Sequence, residues 1–172
     1  MEERLYFAYG SNINLDQMAY RCPDAEVVGP VTLENYELLF RRGGFATIEP
    51  KEGETVTGLL WSITRGCEQS LDRYEGYPRF YDKRMVTVRD SEGRSLSVMA
   101  YIMDERFREP MIPSDSYYHG ILEGYHQNNM PTEPLKRAWE HCVQEVHLET
   151  ERINASFSDR PKAPKRRNSH ER

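Results

Sequence analysis

The chain opens with an alternation. In Leu5-Tyr6-Phe7-Ala8-Tyr9, residues Leu5, Phe7 and Tyr9 fall on one face of an extended segment, which Gly10 interrupts. A helix follows: Asn14 is its cap, Gln17 stands three residues on in the spacing of a reciprocal capping box, and Cys22-Pro23-Asp24 ends it. Leu15 and Met18 share its apolar face. The period then changes. Short β-type runs over about 25–28, 36–41, 46–48 and 55–63 are separated by turn signals such as Gly43-Gly44 and Glu52-Gly53-Glu54, predicting four short strands. Thr64 caps a helix from about Arg65 to Tyr74, which stops at Gly76 and Pro78. Arg84 to Arg89 and Ser95 to Met103 flank Asp90-Ser91-Glu92-Gly93-Arg94 as a hairpin. The last two elements are helices, from Ser116 to Asn128 and from about Glu133 to Arg152. The second has an apolar stripe of Leu135, Ala138, Trp139, Cys142, Val143 and Val146.

Strands in the middle and helices at the ends argue for an α+β fold on a mostly antiparallel sheet that can close into a barrel; a Rossmann sheet is disfavoured. The 172 residues suit one domain, and 11 Tyr with 6 Phe supply enough large apolar surface for a core. No apolar run approaches the roughly 20 residues of a membrane span, and Met1-Glu2-Glu3-Arg4 does not resemble a secretory signal, so a soluble, cytoplasmic protein is expected. Cys22, Cys67 and Cys142 are far apart and form no Cys-x-x-Cys pair, which suggests neither a disulfide framework nor a metal knuckle.

Charge divides the chain unevenly. Six of its 23 basic residues but only one of its 28 acidic ones lie from Arg160 onward, leaving 17 against 27 before that point. We therefore expect a domain over residues 1–158 and a basic, disordered tail over 159–172. An acidic body repels a phosphate backbone, so nucleic acid is an unlikely partner. The same acidity leans toward ligands with a cationic amine.

Two segments hold candidate chemistry. Tyr6-Phe7-Ala8-Tyr9-Gly10-Ser11-Asn12 brings a glycine, a hydroxyl and an amide to a strand-to-helix junction, where unpaired backbone N–H groups suit an anion or oxyanion; an ordinary tight turn is the plainer alternative. In Leu71-Asp72-Arg73-Tyr74-Glu75-Gly76-Tyr77-Pro78-Arg79-Phe80-Tyr81, one carboxylate sits among four aromatic residues. Desolvation and the carbonyl end of the preceding helix would both raise the Glu75 pKa, fitting it for proton transfer near neutral pH. A solvated Glu75 paired with Arg73 or Arg79 is the alternative.

Taken together, the two segments resemble the γ-glutamylcyclotransferase family, which combines a Tyr-Gly-Ser-Asn loop with a Leu-Asp-x-x-Glu-Gly segment some sixty residues later. Further matches lie at Gly43-Gly44-Phe45-Ala46-Thr47-Ile48, at Val56-Thr57-Gly58-Leu59-Leu60-Trp61 and at Pro113-Ser114-Asp115-Ser116-Tyr117, followed by Gly124 and Asn129-Met130-Pro131. The likeness runs from about residue 4 to residue 132.

The resemblance implies a mixed, mostly antiparallel β-barrel with flanking helices and an enzyme without metal or cofactor. In this family a γ-glutamyl α-amine attacks its own γ-carbonyl, releasing 5-oxoproline and an amine. Glu75 matches the catalytic glutamate. Tyr6, Phe7, Ala8, Tyr9, Gly10, Ser11 and Asn12 match the substrate cradle, and Tyr117 a further substrate contact, with Tyr118 competing for that role. Tyr81 is a possible pocket residue. The expected partner is a small γ-glutamyl amine or γ-glutamyl amino acid, and an oligomer is compatible with the last helix. Serine-hydrolase chemistry at Ser11 is disfavoured, because Gly-x-Ser-x-Gly is absent and no histidine has a defensible partner spacing. His119 and His126 are expected at the surface. A binding module that keeps the pocket without catalysis is the alternative from a different class.

Overall fold

A computed structural model describes residues 3–161, so most of the expected basic tail lies outside the described residues. Five strands close into a barrel: β1 (Arg4–Ala8), β2 (Glu26–Phe40), β3 (Ala46–Ile63), β4 (Tyr81–Arg89) and β5 (Ser95–Met103). Around the barrel the order is β1-β3-β2-β4-β5. Every pairing is antiparallel except the one between β1 and β5, which closes the ring in parallel at Tyr6 and Met99. Four helices flank it: α1 (Leu15–Arg21), α2 (Arg65–Glu75), α3 (Asp115–Gln127) and α4 (Glu133–Ser158). Among the described residues no helix is long and apolar enough to cross a membrane.

The four short strands expected in the middle are two long ones. Asn35 and Gly53, the latter read as a turn signal, face each other across the β2–β3 ladder, where Asn35 Oδ1 accepts from the Gly53 N–H at 3.1 Å. Both have positive φ, 61° and 84°. Glu34 pairs with Thr55 and Tyr36 with Pro50, so the irregularity is absorbed as a bulge and the ladder continues beyond it. The turn residues bend the hairpin without ending it. Likewise β4 begins at Tyr81, before the expected Arg84, and α4 runs to Ser158, beyond Arg152. On β1, Tyr6, Phe7 and Ala8 are all buried, so its alternation does not separate a wet face from a dry one.

A short 3₁₀ turn, Ser11–Ile13, links β1 to α1. Asn14 caps α1 as expected, its Oδ1 accepting from the Asp16 and Gln17 N–H groups at 3.0 Å each. The reciprocal half of the capping box is missing, because the Asn14 N–H already donates to the Ser11 carbonyl at 3.1 Å. The Gln17 side chain instead accepts from Arg21 Nη2 at 2.9 Å.

Helix α3 holds this turn from outside. Asn14 Nδ2 donates to the Gly120 carbonyl at 2.9 Å, and Asn128 Nδ2 to the Ile13 carbonyl at 3.0 Å. Gly124 allows the close approach: a Cβ there would lie 2.7 Å from the Asn14 nitrogen, a backbone atom with no freedom to yield. Gly124→Ala is expected to destabilise the protein by about 1–3 kcal/mol through overpacking, read as a lower midpoint in urea unfolding.

Candidate active site

The turn, α2 and the loop after β2 converge on a cavity of about 130 Å³. It is lined by Tyr6, Tyr9, Gly10, Ser11 and Asn12, by Phe45 and Ala46, by Tyr74 and Glu75, and by Phe80, Tyr81, Tyr101 and Tyr117. Among these lining residues Glu75 is the one carboxylic acid. Helix α2 delivers it at its last turn and then stops at Gly76, which has φ 63°. The Tyr77 N–H reaches back to the Asp72 carbonyl at 2.9 Å and the Gly76 N–H to that of Arg73 at 3.3 Å, the pairing of a Schellman motif. The helix end is thereby pinned with Glu75 directed into the cavity wall.

Burial pushes the Glu75 carboxyl up to about 7, the positive charge of Arg21 opposing the rise. The alternative pairing with Arg73 or Arg79 is not formed. Arg73 reaches the Ser70 hydroxyl, and Arg79 is exposed with its carbonyl accepting from Arg106.

Asn12 organises the turn. Its Nδ2 donates to the Tyr6 hydroxyl at 2.9 Å, its Oδ1 accepts from Arg21 Nη1 at 2.6 Å, and its carbonyl accepts from Trp61 Nε1 at 2.9 Å. Arg21 extends the network to α2, stacking its guanidinium 3.7 Å from the Tyr74 ring centre. The Ser11 hydroxyl lies 3.3 Å from both Arg21 Nη1 and the Tyr74 hydroxyl, and no histidine bonds it among the described residues. The Gly10 and Ser11 N–H groups donate to no protein acceptor among the described residues, as expected at the start of a helical turn.

Four of the six phenols that line the cavity divide into two kinds. Tyr9 donates to the Tyr101 carbonyl, and Tyr81 to the Ala46 carbonyl at 2.6 Å, so their protons are committed to the scaffold. Tyr6 accepts from Asn12, and Tyr117 accepts from the Ala46 N–H at 3.1 Å, which leaves both hydroxyl protons for a ligand. Burial raises the pKa of all four, so they remain protonated donors at neutral pH.

The structure brings Glu75, Tyr6, Tyr9, Gly10, Ser11, Asn12, Tyr81 and Tyr117 together around the cavity, but not Phe7 or Ala8. Both are fully buried in β1, where the ring of Phe7 occupies the space over Gly58. Tyr6 and Tyr9 reach the same cavity, despite their odd spacing, because Tyr9 lies past the end of β1, where the chain has begun to turn. Tyr118 packs near Trp139, at 6.4 Å between ring centres, and does not line the cavity. His119 and His126 are exposed, as expected. Pattern reasoning missed Arg21 and Tyr101. Arg21 ends a helix as an ordinary basic residue, and Tyr101 is one of several apolar positions on a buried strand; neither has a local signal.

Relatives carry the same outline. The family described as gamma-glutamyl cyclotransferase, AIG2-like matches residues 6–119. A gamma-glutamylcyclotransferase from Bos taurus is 32% identical over 147 residues, covering 79% of this chain and 77% of its own. The Homo sapiens protein of that name is 32% identical over 143 residues, covering 77% of this chain and 75% of its own. This chain belongs to the γ-glutamylcyclotransferase family of enzymes. A solved gamma-glutamyl cyclotransferase superposes with a TM-score of 0.73 at 30% identity, over 80% of this chain and 86% of that one. The resemblance in the loop and the Leu-Asp-x-x-Glu-Gly segment is thus a family relationship, and the mostly antiparallel barrel expected from it is the observed fold.

The raised pKa makes a stability prediction. Between an unfolded value near 4.5 and a folded value of about 7, the native state binds more protons than the unfolded chain, so this group's contribution to stability falls as pH rises through that window. Glu75→Gln removes the effect. It is expected to stabilise the protein by on the order of 2 kcal/mol at pH 8, and by nearly nothing at pH 4, as read from denaturant unfolding at the two pH values.

Proposed function

We propose that this cavity cyclises γ-glutamyl amides: the α-amine of the bound glutamyl group attacks its own γ-carbonyl, and 5-oxoproline and a free amine leave. One observation carries the reading: a lone carboxyl with a pKa of about 7 faces an aromatic cavity bordered by uncommitted hydrogen-bond donors. Family membership supports it.

The nucleophile is supplied by the substrate, so the protein's tasks are proton transfer, charge stabilisation and positioning. The Glu75 carboxylate takes a proton from the α-ammonium, freeing the nitrogen lone pair. The new N–C bond forms, and the carbonyl oxygen becomes an oxyanion. The Gly10 and Ser11 N–H groups and the hydroxyls of Tyr6 and Tyr117 are the free donors for that oxyanion and for the glutamyl carboxylate. A Cβ on Gly10 would lie 3.4 Å from the Tyr117 hydroxyl, so one small group can meet the backbone and the phenol together. Collapse of the intermediate breaks the original amide bond while protonated Glu75 delivers its proton to the leaving nitrogen; the carboxylate so regenerated takes the second proton from the ring nitrogen and passes it to the departing amine, which leaves as an ammonium. No water is consumed. A carboxyl with a pKa near 7 suits both halves, because its two protonation states lie close in free energy at neutral pH.

Two measurements test this. Turnover of a γ-glutamyl substrate, followed as 5-oxoproline released, should rise about tenfold per pH unit below 7 and level above it, as the base ionises. Glu75→Gln should lower turnover by about a hundredfold to ten-thousandfold while substrate still binds in calorimetry. A Glu75→Gln protein that turns over normally would overturn the assignment. Binding without turnover in the unsubstituted protein would indicate the non-catalytic module instead.

Arg21 joins the cradle to α2 and its charge restrains the rise in the Glu75 pKa. Arg21→Met should therefore move the acidic limb of the rate profile to higher pH, with the limb staying in place for a merely structural residue.

A further inference from the structure

Helix α2 carries Glu68, Asp72 and Glu75 at the spacing i, i+4 and i+7, which puts three carboxylic acids on one face. The mechanism uses only the last. The other two are tied to the barrel. Lys83 on β4 donates from Nζ to Glu68 Oε1 at 2.9 Å and to the Asp72 carboxylate at 3.1 Å. Its ammonium also lies 4.2 Å from the centre of the Tyr77 ring, just past the end of the helix. Across the β4–β5 ladder Lys83 pairs with Tyr101, so both side chains leave the sheet on one face, and the Tyr101 hydroxyl donates to Asp72 Oδ1 at 2.6 Å. Tyr101 belongs to the cavity wall: its ring meets that of Tyr6 edge-on at 5.7 Å between centres, and its carbonyl accepts from Tyr9. Asp72, one turn before Glu75, is thus held at once by a cavity residue and by Lys83.

The Lys83 pairs are sheltered ones. The side chains of Lys83, Glu68 and Asp72 are 20%, 12% and 25% exposed, whereas Arg4, which also reaches Glu68 Oε1 at 2.8 Å, is 58% exposed. Without Lys83, two part-buried carboxylates would stand four residues apart, with Arg4 as the one cation at ion-pair distance among the described residues. They would repel each other and gain by moving toward water. An outward shift of α2 takes Glu75 with it, one turn further along the same helix.

We propose that Lys83 is a positioning residue for the reaction: by gripping Asp72, Glu68 and the Tyr77 ring it holds the last turn of α2 against the barrel and keeps the Glu75 carboxyl turned into the cavity, shielded from bulk water. The inference rests on the cyclotransferase reading for the role of Glu75. The groups that face Glu75 are Arg21 from α1, Tyr6 and Tyr9 from β1, Tyr81 from β4, Tyr101 from β5, Tyr117 from α3 and Tyr74 on its own helix. Burial holds the phenols of Tyr6, Tyr9, Tyr81, Tyr101 and Tyr117 protonated, so Arg21 is the charge among these groups. Glu68, Asp72, Tyr77 and Tyr101 face Lys83. Losing Lys83 therefore has two effects of opposite sign. Removal of a positive charge by itself favours the neutral acid and raises the Glu75 pKa, whereas admission of water favours the carboxylate and lowers it. A positioning role requires the second, which is also opposite in direction to the change expected for Arg21→Met.

The test is a pH titration of the Glu75 carboxyl carbon by NMR in the full chain, its signal assigned by its loss in Glu75→Gln, beside kcat/KM for 5-oxoproline release from γ-glutamyl-glycine. In Lys83→Met the midpoint should fall by about one pH unit and the plateau of kcat/KM by about tenfold. Lys83→Arg, which can still reach both carboxylates, should titrate and turn over close to the unsubstituted protein. Tyr101→Phe removes the bond to Asp72 without changing any charge and should move the midpoint in the same direction by less; it carries the test if Lys83→Met does not fold. A midpoint that stays in place in both variants, as for a merely structural residue, or that rises in Lys83→Met, as for a purely electrostatic one, overturns the proposal. A lowered midpoint in Lys83→Met, with no 5-oxoproline released even by the unsubstituted protein, upholds the grip of Lys83 on Glu75 and overturns the cyclotransferase reading instead.

Discussion

The buried side chain of Asn12 is the joint on which the site depends. Its amide donates to Tyr6 on β1 and accepts from Arg21 at the end of α1, while its carbonyl accepts from Trp61 on β3. Through Arg21 and Tyr74 the same network reaches α2, which ends at Glu75. Asn12, Tyr6 and Trp61 are buried, and leaving one of their polar groups unmatched costs about 1–3 kcal/mol, so the turn has little freedom to adopt another shape. Its rigidity keeps the Gly10 and Ser11 backbone at the cavity wall.

The electrostatic character of the site follows from what surrounds that joint. Aromatic rings exclude water from the Glu75 carboxyl and raise its pKa, and Arg21, placed by its bond to Asn12, keeps the rise moderate. A deeper site without the arginine would hold the acid protonated at neutral pH; an open one would leave it an ordinary, weakly basic carboxylate. The same burial holds the surrounding phenols protonated, so proton donors and a proton acceptor coexist within one small cavity. In the proposed reaction the substrate supplies the nucleophile, and little more is needed from the protein.

The barrel supplies the distances. Residues 10–12 and residue 75 are far apart in the chain, and they meet because β1 pairs with β3, whose end leads directly into α2. The β2–β3 hairpin brings Phe45 and Ala46 to the opposite wall, and α3 brings Tyr117, whose hydroxyl accepts from the Ala46 N–H. Glycine at 124 permits the approach of α3 that makes this possible. The cavity is thus an intersection of segments distant in the chain, with β4 and β5 adding Tyr81 and Tyr101 to these four.

Much of this was legible in the residues. The strand-to-helix glycine, the Asn14 cap, the last hairpin and the placement of Glu75 among aromatics follow from local propensity and polarity, which act over a few residues and leave their mark in sequence. The middle reads as four short strands because Glu52-Gly53-Glu54 and the break before residue 36 look like chain reversals by themselves. They become a shared bulge only when the partner strand lies opposite. The commitment of Tyr9 and Tyr81 to carbonyls, the freedom of Tyr6 and Tyr117, and the exclusion of Phe7 and Ala8 from the cavity depend on which acceptor each side chain meets in space. The sequence by itself determined the chemical groups and their family; the tertiary structure alone decided which of them face the cavity with a proton or a charge to spare, because hydrogen bonding and desolvation are set by neighbours distant in the chain.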